Sequence, residues 1–397
     1  MRDKTKLVHM PVVSTDGFSA LGAPVHRAST IVFPSSEAYS TRGDRGPEGY
    51  SYGLYGTPTT RILEAKLSQA AGAARTLLVP SGQGANAIAA MALLSQGDHV
   101  LIPDTVYPAM RNLATHDLPR LGIHAEFYDP TSLDDLRERF RAETKLVWCE
   151  SPGSTTMEVQ DYPAIVEIAH KGGALVGCDN TWATFISLKP LEMGFDIVSE
   201  AITKYASGHA DVLLGAVMLS DISIAEKIRG FMGRIGIGVS PDDAWLALRG
   251  LETMYLRYAQ SRRGAELLVQ RFEVHDSVER VLWPPLPGSP GHEIWQRDFR
   301  DAAGVFSVVF KDGASAGVPQ ALDCLKVFAI GASWGGTRSL VAPMSISRSR
   351  SVRPWSGDDM ILRVSVGVED ILDLEDDIRK FLDALTKTSA QNTSETV

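Results

Sequence analysis

From residue 61 onward the chain alternates between short apolar runs and longer stretches with helical spacing. RILEAKLSQAAG carries Ile62, Leu63, Ala65 and Leu67 ahead of Gly72, which predicts a helix that stops there. RTLLVPSG predicts a strand closed by Pro80 and Gly82, and ANAIAAMALLSQG a helix. HVLIPD predicts a strand and MRNLATHDLPRLG a helix. AEFYD, KLVWCES, ALVGCD and FDIVSE predict further strands, with helices such as YPAIVEIAHKGG between them. Short apolar strands alternating with helices of about ten residues indicate an α/β fold, with a parallel sheet covered by helices on both faces.

The pattern differs at both ends. Residues 1–60 have weak periodicity and much Gly, Ser, Tyr and Pro, as in GYSYGLYGTPTT, and read either as a disordered leader or as an arm that docks elsewhere. After about residue 250, LETMYLRYAQSRRGAELLVQRF predicts a helix and PPLPGSPGHEIW a loop. FSVVF, KVFAIG and ILRVSVG predict the strands of a smaller C-terminal α/β domain, which EDILDLEDDIRKFLDALTK closes as an amphipathic helix before a frayed polar tail. The expected division is an arm over 1–60, a ligand-binding domain over 61–250 and a C-terminal domain over 251–397. No internal repeat is visible.

A length of 397 residues suits two or three domains, and 44% hydrophobic with 22% charged residues is an ordinary globular balance. The net charge of −9, with no long basic run, argues against nucleic acid and anionic membranes as partners. No stretch reaches the roughly 18 apolar residues of a spanning helix. MRDKTKLVHMPVV has no apolar signal core. Cys149, Cys178 and Cys324 read as buried thiols of a reducing compartment, so a cytoplasmic protein is expected.

Three segments carry chemistry. PSGQGANAIAAMALL is a Gly-rich turn that opens a helix, either a tight turn only or a phosphate site at the helix N-terminus. It is not a dinucleotide fingerprint, and neither is GRIGIGV. CDNTWAT puts Asp179 at the carboxyl end of a strand, where open α/β sheets place ligands; a helix cap, a cation partner and a Mg²⁺ ligand are all open to it. EAITKYASGHADVLLGA puts Lys204 among hydroxyls and small residues just before an apolar run. In this order, a phosphate loop, a strand-end aspartate and a strand-end lysine are what pyridoxal phosphate (PLP) requires: the lysine as Schiff-base partner, the aspartate at the pyridine nitrogen. Tyr107, in DTVYPAM, is placed either to stack on the ring or in the core. Arg363, inside MILRVSVG, is either a buried structural ion pair or a clamp for a substrate carboxylate. No metal motif stands out, GHEIW lacking a second histidine, and no GxSxG supports a serine hydrolase.

SGQGAN, ESPGSTTMEV, CDNTW, TKYASGHAD and SWGGTRSL together resemble the Cys/Met-metabolism family of fold-type-I PLP-dependent enzymes, over about residues 20–380. ESPGSTTMEV and SWGG resemble its bacterial cystathionine β-lyase branch more than the γ-synthase and γ-lyase branch, which usually has asparagine at Ser154 and lacks Trp334. The resemblance implies a transferase-like fold of type I and the cofactor on Lys204. It implies Asp179 at the ring nitrogen, Tyr107 on the ring, and Gly82, Gln83 and Thr203 around the phosphate, with Ser154 also among the cofactor contacts. It implies Ser333 and Arg363 on the substrate carboxylate beside Trp334, with His209 and Asp211 ordering the loop. It further implies a homo-oligomer, a tetramer in the family, in which Tyr52 of the arm reaches a neighbour's site.

The activity so implied is β-elimination on L-cystathionine or a related amino-acid thioether, with γ-elimination, γ-replacement and racemisation as rivals. Lys204, Tyr52 and Tyr107 are the candidate proton carriers. A binding module that has lost catalysis is the rival from another class. Two departures matter: Leu54 replaces an arm arginine that in the family contacts the phosphate from the adjacent subunit, and Ala332 replaces a tyrosine before SWGG, which implies a roomier pocket and leaves the substrate open.

Overall fold

The computed structural model describes residue 2 and residues 14–46, 49–356 and 359–394. The expectations for residues 1, 3–13, 47–48 and 395–397 lie outside the described residues. The larger sheet has seven strands: β1 (Arg75–Val79), β2 (His99–Pro103), β3 (His124–Tyr128), β4 (Thr144–Glu150), β5 (Leu175–Asp179), β6 (Ile197–Glu200) and β7 (Gly215–Leu219). Their order is β1-β7-β6-β5-β4-β2-β3. All run parallel except β7, which is antiparallel to both neighbours. The reason is local. The connection from β6 to β7 contains no crossover helix, and a short return can join only antiparallel strands. That return carries Lys204.

β2 and β7 are buried at every position, which is why HVLIP and GAVML read as unbroken apolar runs rather than alternating ones. Helix α1 (Pro58–Ala71) begins with Pro58, where the Thr57 N–H donates to the Thr60 hydroxyl at 2.9 Å, and ends at Gly72, whose φ of 75° favours glycine. Helix α2 (Gly82–Leu93) directly follows β1, and the Ser81 hydroxyl caps its Gly84 N–H at 3.0 Å. Its small, apolar face packs on β6 and β7.

The second sheet has the order β10-β11-β12-β9-β8, from β8 (Val278–Leu282), β9 (Val305–Phe310), β10 (Ala329–Ile330), β11 (Leu340–Ser345) and β12 (Met360–Ser365). Helix α3 (Met254–Glu273) packs on β8 and β9, and the closing helix α4 (Ile371–Ser394) packs on α3. The polar tail continues that helix to Ser394 instead of fraying from about residue 388. KVFAIG contributes only Ala329 and Ile330 to the sheet, while β8 and β11 lie in stretches without a predicted strand. Pro343 stands inside β11, beyond the two residues that β10 pairs, where the strand forms an edge. The helix expected over 110–122 is a short α-helix, Pro108–Asn112, that widens into a π-turn and ends at Gly122. Cys149 and Cys178 are buried, but Cys324 is exposed on the turn after a five-residue helix, Val318–Leu322, correcting the expectation of three buried thiols.

One buried carboxylate fastens the loop between β11 and β12 to the large sheet. Asp104, just after β2, accepts the main-chain N–H groups of Ser351, Val352 and Arg353 at 2.9–3.2 Å, the Ser351 hydroxyl at 2.8 Å and the Arg111 guanidinium at 2.5 Å. Burial pushes its pKa up, but these donors outweigh that and hold it below the usual aspartate value. Asp104→Asn should therefore cost about 2–4 kcal/mol in urea unfolding at pH 7. Because the folded-state pKa is the lower one, this contribution is present above the unfolded aspartate pKa and fades as pH falls through the folded value. A variant as stable as wild type at pH 7 would show that the latch carries no load.

Candidate active site

The carboxyl ends of β4, β5 and β6 meet in one crevice. Glu150 ends β4 in register with Asp179 at the end of β5, and Asp179 is in register with Ser199 of β6. Around these ends lies a cavity of about 400 Å³, lined by Gly82, Tyr107, Asp179, Lys204, Trp334 and Arg363 among others. It therefore gathers the strand-end residues, the start of α2 and five residues from the second sheet region, Val305, Ala332, Trp334, Met344 and Arg363.

Lys204 sits on a loop braced at every turn. Thr203 closes the return, its N–H donating to the Leu214 carbonyl while its hydroxyl accepts the Leu214 N–H at 2.9 Å. Ser207 bonds back to Thr203, and the Gly208 N–H to the Lys204 carbonyl. The buried Arg257 guanidinium donates to the carbonyls of Tyr205 at 2.7 Å and Gly250 at 2.6 Å. At Gly208 (φ 73°) a Cβ would collide with Arg257, so the close approach requires glycine. Tyr205 packs edge-on against Tyr258 and Trp334. The His209 ring bonds the Ser207 carbonyl at 2.6 Å, and Asp211 is exposed on the same loop.

The Lys204 amine donates to the Ser333 hydroxyl at 2.8 Å and lies 5.3 Å from the Trp334 ring centre. Burial and the Arg363 charge lower its pKa to about 8, against the opposing pull of Asp179. Arg363, only 9% exposed, donates to the Ala332 carbonyl at 2.6 Å and the Ser333 carbonyl at 3.2 Å. It makes no ion pair among the described residues, so the structural-pair alternative does not hold. A buried guanidinium without an acid fits a ligand carboxylate.

Asp179 does not cap a long helix. Its Oδ1 accepts the Thr181 N–H and hydroxyl, and its Oδ2 accepts the Asn86 amide at 3.0 Å. Asn86 in turn accepts the Ser199 hydroxyl. Glu150 accepts the Tyr107 N–H at 2.7 Å and the Ser154 hydroxyl at 2.5 Å, holding both loops against the cavity. Burial, then the nearby Asp179 charge, pushes Glu150 and Glu200 each up to about 8. Both Glu200 carboxyl oxygens are buried without a partner, which suits the neutral acid.

The donor set fits PLP. The first N–H groups of α2 have no intrahelical partner, and the buried Gln83 Oε1 beside them has none of any kind. A Cβ on Gly82 would lie 2.4 Å from that of Ala201, so the turn stays clear of side chains. Asp179 offers an anion for the ring nitrogen and Lys204 an amine for the aldehyde. Among the described residues no group of three or more His, Cys, Asp or Glu is placed to hold a metal ion, and no helix is long and apolar enough to cross a membrane.

Gly82, Gln83, Tyr107, Ser154, Asp179, Thr203, Lys204, Trp334 and Arg363 thus share one cavity, with Ser333 bonded to the lysine. Tyr107 lies on the surface of the cavity, not in the core. Tyr52 does not line the cavity of its own chain and is 51% exposed. Leu54 packs against Gly238, on its own chain. Sequence reasoning missed Asn86, Glu150, Thr181 and Glu200. A lone amide in an apolar helix and acids closing apolar strands were the available signals.

Comparisons with known proteins agree with this chemistry. The model of the family described as Cys/Met metabolism PLP-dependent enzyme matches residues 4–383. The chain is 41% identical to a putative cystathionine beta-lyase of Rhizobium johnstonii, over 95% of this chain and 94% of that protein. It is 34% identical to an L-alanine/L-glutamate racemase of Wolbachia pipientis, over 96% and 97%. The crystal structure of cystathionine gamma synthase from Xanthomonas oryzae in complex with cystathionine superposes with a TM-score of 0.85 at 28% identity, covering 94% of this chain and 95% of that one. With its family model spanning nearly the whole chain, this protein belongs to the Cys/Met metabolism family of PLP-dependent enzymes.

Proposed function

We propose that this enzyme is a carbon–sulfur lyase that β-eliminates L-cystathionine, or a related amino-acid thioether, to homocysteine, pyruvate and ammonia. The observation that carries the reading is the pairing of two cationic residues in one cavity: a lysine whose pKa is lowered to about 8 and an arginine free to take a carboxylate. The 41% identity to a putative cystathionine beta-lyase supports the choice of bond.

PLP, when bound, supplies the electron sink for the charge left at Cα. The chain's residues do the rest. Arg363 and Ser333 hold the substrate carboxylate and so set which Cα bond faces Lys204. The Lys204 amine, neutral for much of the time near pH 8, takes the Cα proton at Nζ. The same proton is then available to the departing sulfur. Asp179, kept in place by Thr181 and Asn86, holds a proton on the ring nitrogen. Tyr107, anchored by Glu150, would flank the ring when it is bound, and Trp334 shields the lysine from water. Either Tyr107 or Tyr52 accepts the proton that the substrate amine sheds on entry.

Incubation of the purified protein with L-cystathionine and PLP should yield pyruvate and homocysteine in equal amounts. Oxobutyrate with cysteine would place the cut at Cγ instead. Inverted amino acid without keto acid would favour racemisation, the activity named for the Wolbachia relative.

The same reading assigns the arm to a second copy of the chain. Phe18 and Val32 are 77% and 88% exposed, and Leu21, Tyr39 and Tyr52 also face solvent. Such apolar surface on one extended segment suits burial against a neighbour. Tyr52 would then complete the neighbour's cavity, in a homo-oligomer of the kind that builds tetramers. Mixing inactive Lys204→Ala and Tyr52→Ala proteins after mild dissociation should restore activity, because a mixed pair holds one intact site. No recovery on mixing, or full activity of a sedimenting monomer, would remove Tyr52 from the site.

A further inference from the structure

A second cavity, of about 510 Å³, lies back to back with the first. Residues 152–158 form the partition. Ser154, Thr155 and Met157 line the catalytic side, and Thr156 and Glu158 line the other. This volume is within the range of about 300–1,000 Å³ that small-molecule sites occupy.

The charges around this cavity are unevenly matched. Four of its five acids, all but Glu273, already have partners. Asp104 takes the Ser351–Arg353 loop and Arg111, Glu158 takes the Thr156 hydroxyl at 2.6 Å, Asp129 takes Thr131, and Glu279 pairs with Arg280 at 3.3 Å. Two of its guanidinium groups are not so matched. Arg350 donates to the carbonyls of Asp104 and Ser349 at 3.0 and 3.1 Å and to the Thr156 hydroxyl. Arg353 donates to the Thr131 hydroxyl at 3.2 Å. Neither forms an ion pair among the described residues. Burial lowers the Arg350 pKa in spite of the nearby Glu158 and Asp104 charges, neither of which is paired with it. Trp355, with Arg280 5.3 Å from its ring centre, supplies a flat apolar wall.

We propose that this second cavity binds a small organic carboxylate, a dicarboxylate or an acidic amino acid, through Arg350 and Arg353. Two planar guanidinium forks lining one cavity are suited to paired contacts with carboxylate oxygens. The site is not the substrate clamp, since Arg363 belongs to the other cavity. It communicates with the catalytic side through Arg350, which holds Thr156 between Thr155 and Met157. The assignment stands whichever amino acid the catalytic cavity processes.

Succinate is the suitable probe, because it has no amine with which to enter the cofactor's chemistry. Calorimetric titration of succinate into the PLP-loaded, full-length protein should show binding in wild type and equally in Arg363→Gln. Arg353→Gln and Arg350→Gln should each weaken it about tenfold or more. Among the described residues the Arg353 side chain bonds Thr131 alone, so its variant tests the site even where Arg350→Gln does not fold. The proposal is overturned by no binding up to about 20 mM succinate, by binding that is lost in Arg363→Gln alone, or by binding indifferent to Arg353→Gln.

Discussion

An amine that must be uncharged near neutral pH has to be taken out of water, and holding it there constrains everything around it. Lys204 meets this condition through burial against Trp334 and repulsion from Arg363, with the Asp179 charge pulling in the other direction. Desolvation of this kind makes a lysine nucleophilic and basic at a useful pH. It also requires a rigid loop, because a flexible one would let the amine swing back to solvent. The return from β6 to β7 is therefore fixed by Thr203, Ser207 and the buried Arg257. The reversal of β7 in an otherwise parallel sheet is the topological consequence.

Three acids at the ends of adjacent strands form the opposite side of the site. Their proximity in the low-dielectric interior means that they do not all ionise together. Asp179 has the donors that stabilise a carboxylate, namely Thr181 and Asn86. Glu200 has none, and Glu150 has two but is fully buried. Glu150 and Glu200 are pushed up to about 8, so that near neutrality they are largely the uncharged acid. Glu150 has a second role, tying the Tyr107 loop to the Ser154 loop.

Much of this is legible in the sequence. Apolar runs of β2, β4, β5 and β6 are long enough to stand out, and the residues after them are where open α/β sheets bind ligands. Asp179 and Lys204 were therefore legible by position, and Arg363 by being a cation in an apolar strand. Other features depended on tertiary context. The reversal of β7 follows from a missing helix rather than from any residue in the strand. β8 is short and half exposed, and β11 contains Pro343, so neither has a clean period. Glu200 was hidden because a polar residue at a strand's end usually faces water. Tyr52 shows the limit most plainly, since nothing in one chain shows what an exposed tyrosine on an arm would touch.

The measurement closest to the centre of this account is the rate at which the apoprotein captures added PLP, followed by absorbance between about pH 6 and 10. A lysine with its pKa lowered to about 8 gains neutral amine as pH rises through that value. Capture should accelerate across that range, level off above it, and disappear in Lys204→Ala. A midpoint near the ordinary lysine value of about 10.4, or undiminished capture by Lys204→Ala, would contradict the claim that Lys204 is the desolvated amine on which the site is built.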